Sequence, residues 1–259
     1  MSAGARDNRR LLQLLPVIAV AALWEGLGAA GIIPANRLPP PSSVLAGVAE
    51  LLSRGLPPGA GLLGHCAASL RRVAGGVGVA LVLAIPLGLL AGRSARLRAL
   101  IQPFVELVRP VPPLAWVPLA ILWFGIGDLS AVFIIFLGAF FPILLNTVSG
   151  VLSIERGLLE AAILLGATRR DLFLKVLAPG ATPAIMTGVR IALGVGWMTL
   201  VAAEFTGVKS GYGLGYLIMT ARDIQRADLI VAGMLVIGLV GFAMDALIRV
   251  LERRLLQWR

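Results

Sequence analysis

Four ionisable residues stand inside or beside long apolar runs: Glu106, Arg109, Arg190 and Glu204. A charge is costly to hold there and calls for a partner or a task. Glu106 and Arg109 are three residues apart, close enough to pair on a helix, and Pro110 follows at once and turns the backbone away from helix. Irregular backbone at membrane depth lines cavities, so Arg109 is a candidate for a cation that draws an anion through. The plainer reading is that it neutralises Glu106 or sits at an interface. Arg190 and Glu204 are fourteen apart, on nearly one helical face but too distant to touch. Glu204 precedes a glycine-rich segment and reads as bonded to it, because a bare carboxylate would repel an anion; Arg190 reads as a packing or interface charge. Trp116, Trp123 and Trp197 have the size to line a pathway, although tryptophan commonly packs in cores and at membrane interfaces, where Trp258 among arginines also belongs. The candidate pathway set is therefore Arg109, Glu204 and Trp116.

No catalytic constellation accompanies these residues. The patterns G-x-x-x-x-G-K-[ST], H-E-x-x-H and G-x-S-x-G are absent, and the single cysteine, Cys66, and single histidine, His65, make neither an internal disulfide nor a metal set. No catalytic, metal-binding or cofactor-binding residue is expected.

A second polar island spans residues 153–179. Ser153 to Leu165 reads as a helix with Glu155 in its first turn, ended by Gly166 in a left-handed conformation. Thr168 then caps a second helix, with Asp171 three residues on as the other half of a capping box; Phe173, Val176 and Leu177 form its apolar face, and Pro179 stops it. Ala161 and Ala162 leave a shallow surface beside Glu160, suited to docking on something in water.

The elements that position these groups are greasy. The chain of 259 residues is 58% hydrophobic and 14% charged, with a mean hydropathy of +0.93. That is above the apolar share of soluble domains. Six apolar runs are long enough to cross a bilayer as helices: Leu11–Ile33, Val73–Ala91, Leu100–Phe124, Ala131–Val151, Pro183–Phe205 and Leu229–Leu251. The second and third carry Pro86, Pro103, Pro110, Pro112 and Pro113, so neighbours rather than lipid must satisfy the freed backbone groups. The first run is too long for the core of a cleaved signal peptide and reads as retained.

The net charge of +10 comes mainly from arginines in short loops, where it fixes topology rather than binding nucleic acid. With the amino terminus inside, the inner segments hold twice the Lys and Arg of the outer ones; Arg71 and Arg72 count as outer loop charges. This places both termini and the 153–179 hairpin in the cytoplasm. Organisation follows as residues 1–33, a tail and first span; 34–66, an outer segment with a surface-lying amphipathic helix from Ser42-Ser43 to Leu52; and 67–259, the remaining core. Gly88 and Gly92 permit close helix approach, and the stretch from Gly207 to Gly215 reads as a re-entrant or gate-lining element.

The hairpin resembles the EAA loop of ABC importer permeases. In that pattern E-A-A is followed by three residues, G, nine residues and I-x-L-P; Glu160, Ala161, Ala162, Gly166 and Pro179 match in register. Val176 replaces isoleucine, and Ala178 stands where leucine is expected, with Leu177 one place early. The runs Arg109-Pro110-Val111-Pro112-Pro113-Leu114-Ala115-Trp116, Leu122-Trp123-Phe124-Gly125-Ile126-Gly127 and Gly211-Tyr212-Gly213-Leu214-Gly215-Tyr216 are similar to the nitrate, sulfonate, taurine and bicarbonate branch. The resemblance covers roughly residue 40 to the end. It implies an all-α, six-helix membrane bundle of the type I importer fold in the bacterial inner membrane. It further implies two copies of this chain, two ATP-binding subunits that hold ATP and magnesium, and an extracytoplasmic solute-binding protein. Glu160, Ala161, Ala162, Gly166, Thr168 and Arg169 would couple to the ATPase, and the cargo would be a small anion. The rival is a secondary transporter or channel that needs no ATPase, for which only Glu106, Glu204, Glu25 and Asp245 offer intramembrane carboxylates.

Overall fold

The computed structural model describes residues 3–57, 61–205 and 211–255, and the described residues contain helices and no strand. The helices are α1 Ala3–Ala29, α2 Pro41–Ser53, α3 Leu62–Arg93, α4 Ala95–Val108, a 3-10 turn Pro113–Trp116, α5 Val117–Phe124 and α6 Asp128–Leu152. There follow α7 Arg156–Leu164, α8 Arg169–Asp171, a π-helical turn Leu172–Leu177, α9 Ala178–Phe205, α10 Leu214–Asp223 and α11 Ala227–Leu255.

Among the described residues four helical runs are long and apolar enough to cross a membrane: Leu62–Arg93, Asp128–Leu152, Arg169–Phe205 and Ala227–Arg254. A fifth crossing results if α4 and Pro113–Phe124 are taken together across their 81° bend. The apolar part of α1, Leu15–Ala29, is shorter. Against the six expected runs the count by this measure is thus four, or five. The third run is not one rod, because Pro110, Pro112 and Pro113 remove three donors within four residues, and Pro112 adopts φ −57°, ψ 136°.

Three boundaries are corrected. α3 begins at Leu62, well before Val73, so Arg71 and Arg72 lie within a helix rather than in a loop. Pro179 does not stop the hairpin's second arm, which runs on without interruption to Phe205. The turn before it widens: the Ala178 N–H reaches the Phe173 carbonyl five residues back, and this slack takes up the missing Pro179 donor. Pro41, not Ser42 or Ser43, opens α2.

The chain forms two compact units: Met1–His65 with Leu217–Gly238, and Cys66–Tyr216 with Leu239–Arg259. In the first, Glu25 of α1 accepts from the Ser42 N–H at 2.9 Å and from its hydroxyl at 2.7 Å, supplying the cap that α2 lacks from its own Pro40. Gly47 lies against Asp228, Leu229 and Ala232, and Arg226 holds Glu50 at 2.7 Å.

In the second unit α6 is a spine gripped on two sides. Along α3 every fourth residue is small: Gly76, Ala80, Ala84, Gly88 and Gly92. A Cβ on Gly76 would sit 2.6 Å from Ile135, one on Gly88 2.6 Å from Thr147 and one on Gly92 2.5 Å from Val151; Ala80 and Ala84 are fully buried. On the other side a Cβ on Gly150 would meet Ala184 at 2.6 Å, and one on Gly188 would meet the Pro142 carbonyl at 3.0 Å. Thr147 satisfies its buried hydroxyl by donating to Ile143 O at 2.7 Å. Gly88→Val and Gly92→Val should each destabilise the chain by about 1–3 kcal/mol or more through overpacking. Gly78→Ala, where an added Cβ meets nothing within 4 Å, is the control. Thermal unfolding in detergent checks this; equal melting of all three would contradict the packing.

Candidate functional site

The hairpin is rigid for local reasons. Gly166 has φ 83°, and the chain closes there as a Schellman turn, with the Ala167 N–H on Ala162 O at 3.0 Å and the Gly166 N–H on Ile163 O at 2.9 Å. The Thr168 hydroxyl accepts from the Asp171 N–H at 3.2 Å while Asp171 accepts from the Thr168 N–H at 3.1 Å, so the capping box is complete. Lys175, 2.7 Å away, and Thr168 hold the Asp171 carboxyl down at about 2. The first arm starts at Arg156 rather than Ser153; Glu155 occupies the cap position without a side-chain bond.

Glu160, Ala161, Gly166, Thr168 and Arg169 are exposed and Ala162 is half-buried. Beside them Leu164 and Leu165 are 88% and 89% exposed, an apolar tip ringed by charge. The base of the hairpin is not free. Leu159 and Phe173 pack against a buried cluster of Leu89, Val151, Leu177 and Ala181 drawn from α3, α6, the π turn and α9. The base of the hairpin and the spine thus share one buried cluster.

Arg109 and Trp116 come together. Both line a cavity of about 180 Å³ at the break after α4, with Pro113, Phe141 and Val195 among its walls. The expected Glu106–Arg109 pair does not form. Gln102, one turn earlier, donates to one oxygen of Glu106 at 2.7 Å, and Arg109 is exposed and without an ion-pair partner among the described residues.

Glu204 lies apart from this cavity. It is fully buried and fully occupied, so its place in the pathway set is not supported by where it sits. Its carboxylate takes Arg72 at 2.5 Å, the Ser69 hydroxyl at 2.8 Å and the Gly215 N–H at 2.8 Å. The Ser69 oxygen in turn accepts from the Leu214 N–H at 2.9 Å. Arg72 continues to Asp128 at 2.8 Å, which also holds Arg71 at 2.7 Å. The glycine-rich segment does meet Glu204: a Cβ on Gly213 would lie 2.6 Å from the carboxyl carbon. The arginine partner was hidden in the sequence because Arg72 falls outside the apolar run that marks the span.

Arg190 pairs with Asp245 at 3.1 Å, and Asp245 also engages Arg249. Trp197 packs its indole against Gly241. Trp258 and residues 207–210 of the expected re-entrant element lie outside the described residues. No group of three or more His, Cys, Asp or Glu suited to a metal occurs among the described residues.

A kinked helical core with several runs long enough to cross a membrane, and a capped polar hairpin between α6 and α9, has the architecture of a multi-pass membrane protein. Residues 84–257 match the family described as binding-protein-dependent transport system inner membrane component, and the chain belongs to that family. It is a multi-pass permease subunit of an ABC transporter. A putative ABC transporter permease protein of Methanocaldococcus jannaschii is 44% identical over 76% of this chain and 74% of its own length. The taurine transport system permease protein TauC of Escherichia coli is 38% identical over 91% and 85%. The bicarbonate transport system permease protein CmpB of Synechococcus elongatus is 35% identical over 95% and 90%. Among solved structures, a chain of the inward-facing MetNI methionine ABC transporter superposes with a TM-score of 0.59 at 24% identity, covering 73% of this chain and 95% of that one. This likeness shows the shared type I permease fold.

Removing Arg72 takes from the buried Glu204 carboxylate its cation, and removing Glu204 leaves buried Arg72 to Asp128 at the other side, at a cost of up to about 3–5 kcal/mol. Arg72→Met and Glu204→Gln should each lower the melting temperature sharply, and Arg72→Met/Glu204→Met should recover much of the loss. A double variant as unstable as the sum of the singles would show that the ion pair is not the unit.

Proposed function

We propose that two copies of this chain join two ATP-binding subunits and an extracytoplasmic solute-binding protein to import a small anion of the sulfonate, taurine, bicarbonate or nitrate type. Both termini and the hairpin face the cytoplasm. ATP and magnesium belong to the partner subunits, and the hairpin carries their closure into the helices. Glu160, Ala161, Ala162, Gly166, Thr168 and Arg169 form the docking surface, with Glu160 set to meet a basic group. Arg109, which shares a cavity with Trp116, is the cation that receives the anion at the helix break.

The observation that supports this most is the hairpin itself: an exposed tip, locked at Gly166 and Thr168, whose base is buried with the ends of α3, α6 and α9. The self-powered alternative is disfavoured by the occupation of its candidate carboxylates. Glu106 holds Gln102, Glu204 holds Arg72, Glu25 holds Ser42, and Asp245 holds Arg190 and Arg249.

Glu160→Lys reverses the charge at the dock, and Gly166→Pro forces a φ near −65° where the chain needs 83°. In proteoliposomes containing the whole complex, each should cut coupled uptake by about tenfold or more, equivalent to about 1.4 kcal/mol of coupling. The spans should stay inserted and ATP hydrolysis should persist. Uptake at the unaltered rate in both variants would refute the docking role.

A further inference from the structure

Helix α4 shows two unlike faces, and none of its residues is buried. Leu100, Phe104 and Leu107 recur at helical spacing and are 66%, 67% and 75% exposed, a surface suited to lipid. Arg98, Gln102, Glu106 and Arg109 recur at the same spacing on the other side, roughly opposite at ~100° per residue. Gln102, Glu106 and Arg109 are exposed and Arg98 is half-buried. Charges in such a row do not face hydrocarbon; they face protein or water.

What they face is open space. Arg98, Gln102, Glu106 and Arg109 line a cavity of about 200 Å³ whose far wall is Leu144, Leu145 and Val148 of α6. Arg109 also lines the cavity of about 180 Å³ that holds Trp116. Arg109 is the one residue common to the two linings. From Arg109 the stripe descends ~16 Å to Arg98, at 1.5 Å per residue, near the Ser94-capped end of α4.

The charges along it are ordered. Arg109 has no ion pair among the described residues, Glu106 is engaged by Gln102, and Arg98 reaches the Gly92 carbonyl at 3.4 Å. The row carries two cations and one anion, a net positive charge with a repulsive station between the arginines. Such an arrangement admits a small anion yet keeps either arginine from trapping it.

Resting on the permease reading above, we propose that this face of α4 is the wet lining of the anion path between the helix break and the Ser94 end. Arg109 receives the oxyanion in the cavity it shares with Trp116, and Arg98 takes it on past Glu106. Gln102 and Glu106 are thereby pathway residues, with Glu106 setting how readily the anion moves on.

The test is cysteine accessibility in the complete complex, in inside-out membrane vesicles. Cys66→Ala removes the single native thiol, and single cysteines replace Gln102, Glu106, Phe104 or Leu107. An anionic, membrane-impermeant methanethiosulfonate reagent should modify positions 102 and 106 at least about tenfold faster than 104 and 107, given lipid on the second face. Adding Arg109→Gln should slow the anionic reagent at position 102 severalfold while leaving a neutral reagent unchanged, because the local positive potential is lost. Equal reactivity on both faces, no reaction at 102 and 106 in any nucleotide state, or ready disulfide formation between the thiols introduced at position 102 of two copies would overturn the proposal. Co-purification of the ATP-binding subunit is scored on the same samples. If it is retained while 102 and 106 stay unreactive, the lining fails and the permease reading stands.

Discussion

The second unit depends on backbone coming close to backbone around α6. In a bilayer, lipid tails are as apolar as leucine, so helices gain little by hiding greasy side chains from their surroundings; close van der Waals packing of small residues takes over. Gly76, Ala80, Ala84, Gly88 and Gly92 give α3 a continuous groove in which Ile135, Thr147 and Val151 of α6 lie, and Gly150 and Gly188 do the same between α6 and α9. Each missing Cβ is a place where any larger residue would force the helices apart.

Both ends of this three-helix stack carry something polar, by different means. At one end Asp128 of α6, Arg72 of α3 and Glu204 of α9 are joined by charge, and the Gly213–Gly215 backbone folds tightly over them. A buried ion pair adds little net stability, but it fixes which groups may meet and so sets the register of the helices. At the other end Leu89, Val151, Leu177 and Ala181 are joined by apolar contact, and the hairpin stands on them. The stack is thus pinned where charges demand one register and loaded where a lever can act.

The hairpin was the most legible part of the sequence because its rules are local. A glycine forced to positive φ and a Thr-x-x-Asp box need only their immediate neighbours, and both occur where the residues place them. What depends on distant partners was not legible. Arg72 reads as a loop charge until Glu204, 132 residues away in sequence, is seen against it. Pro179 reads as a stop until the widened turn before it is seen. The Glu106–Arg109 spacing is right for a pair, yet the partner that Glu106 has is Gln102, one turn on its other side. The small-residue stripe on α3 was readable only in its last two members; the alanines at positions 80 and 84 look like ordinary apolar filler without their zero exposure.

The contrast between α6 and α4 bears on how such a protein can move. α6 buries residues along its whole length and is fixed on two faces, whereas α4 buries none and ends at a proline-broken turn. Elements with few buried contacts reorganise at the lowest free-energy cost. On the proposed function, a load entering through the hairpin would be carried by the stack as a body, with the displacement falling where packing is thin, around α4 and its break. That is where Arg109 stands, without an ion-pair partner among the described residues. On the proposed function, a pathway wall that is loosely held and charged, beside a spine that is tightly held and apolar, would let one mechanical input alter access to the anion without unmaking the fold.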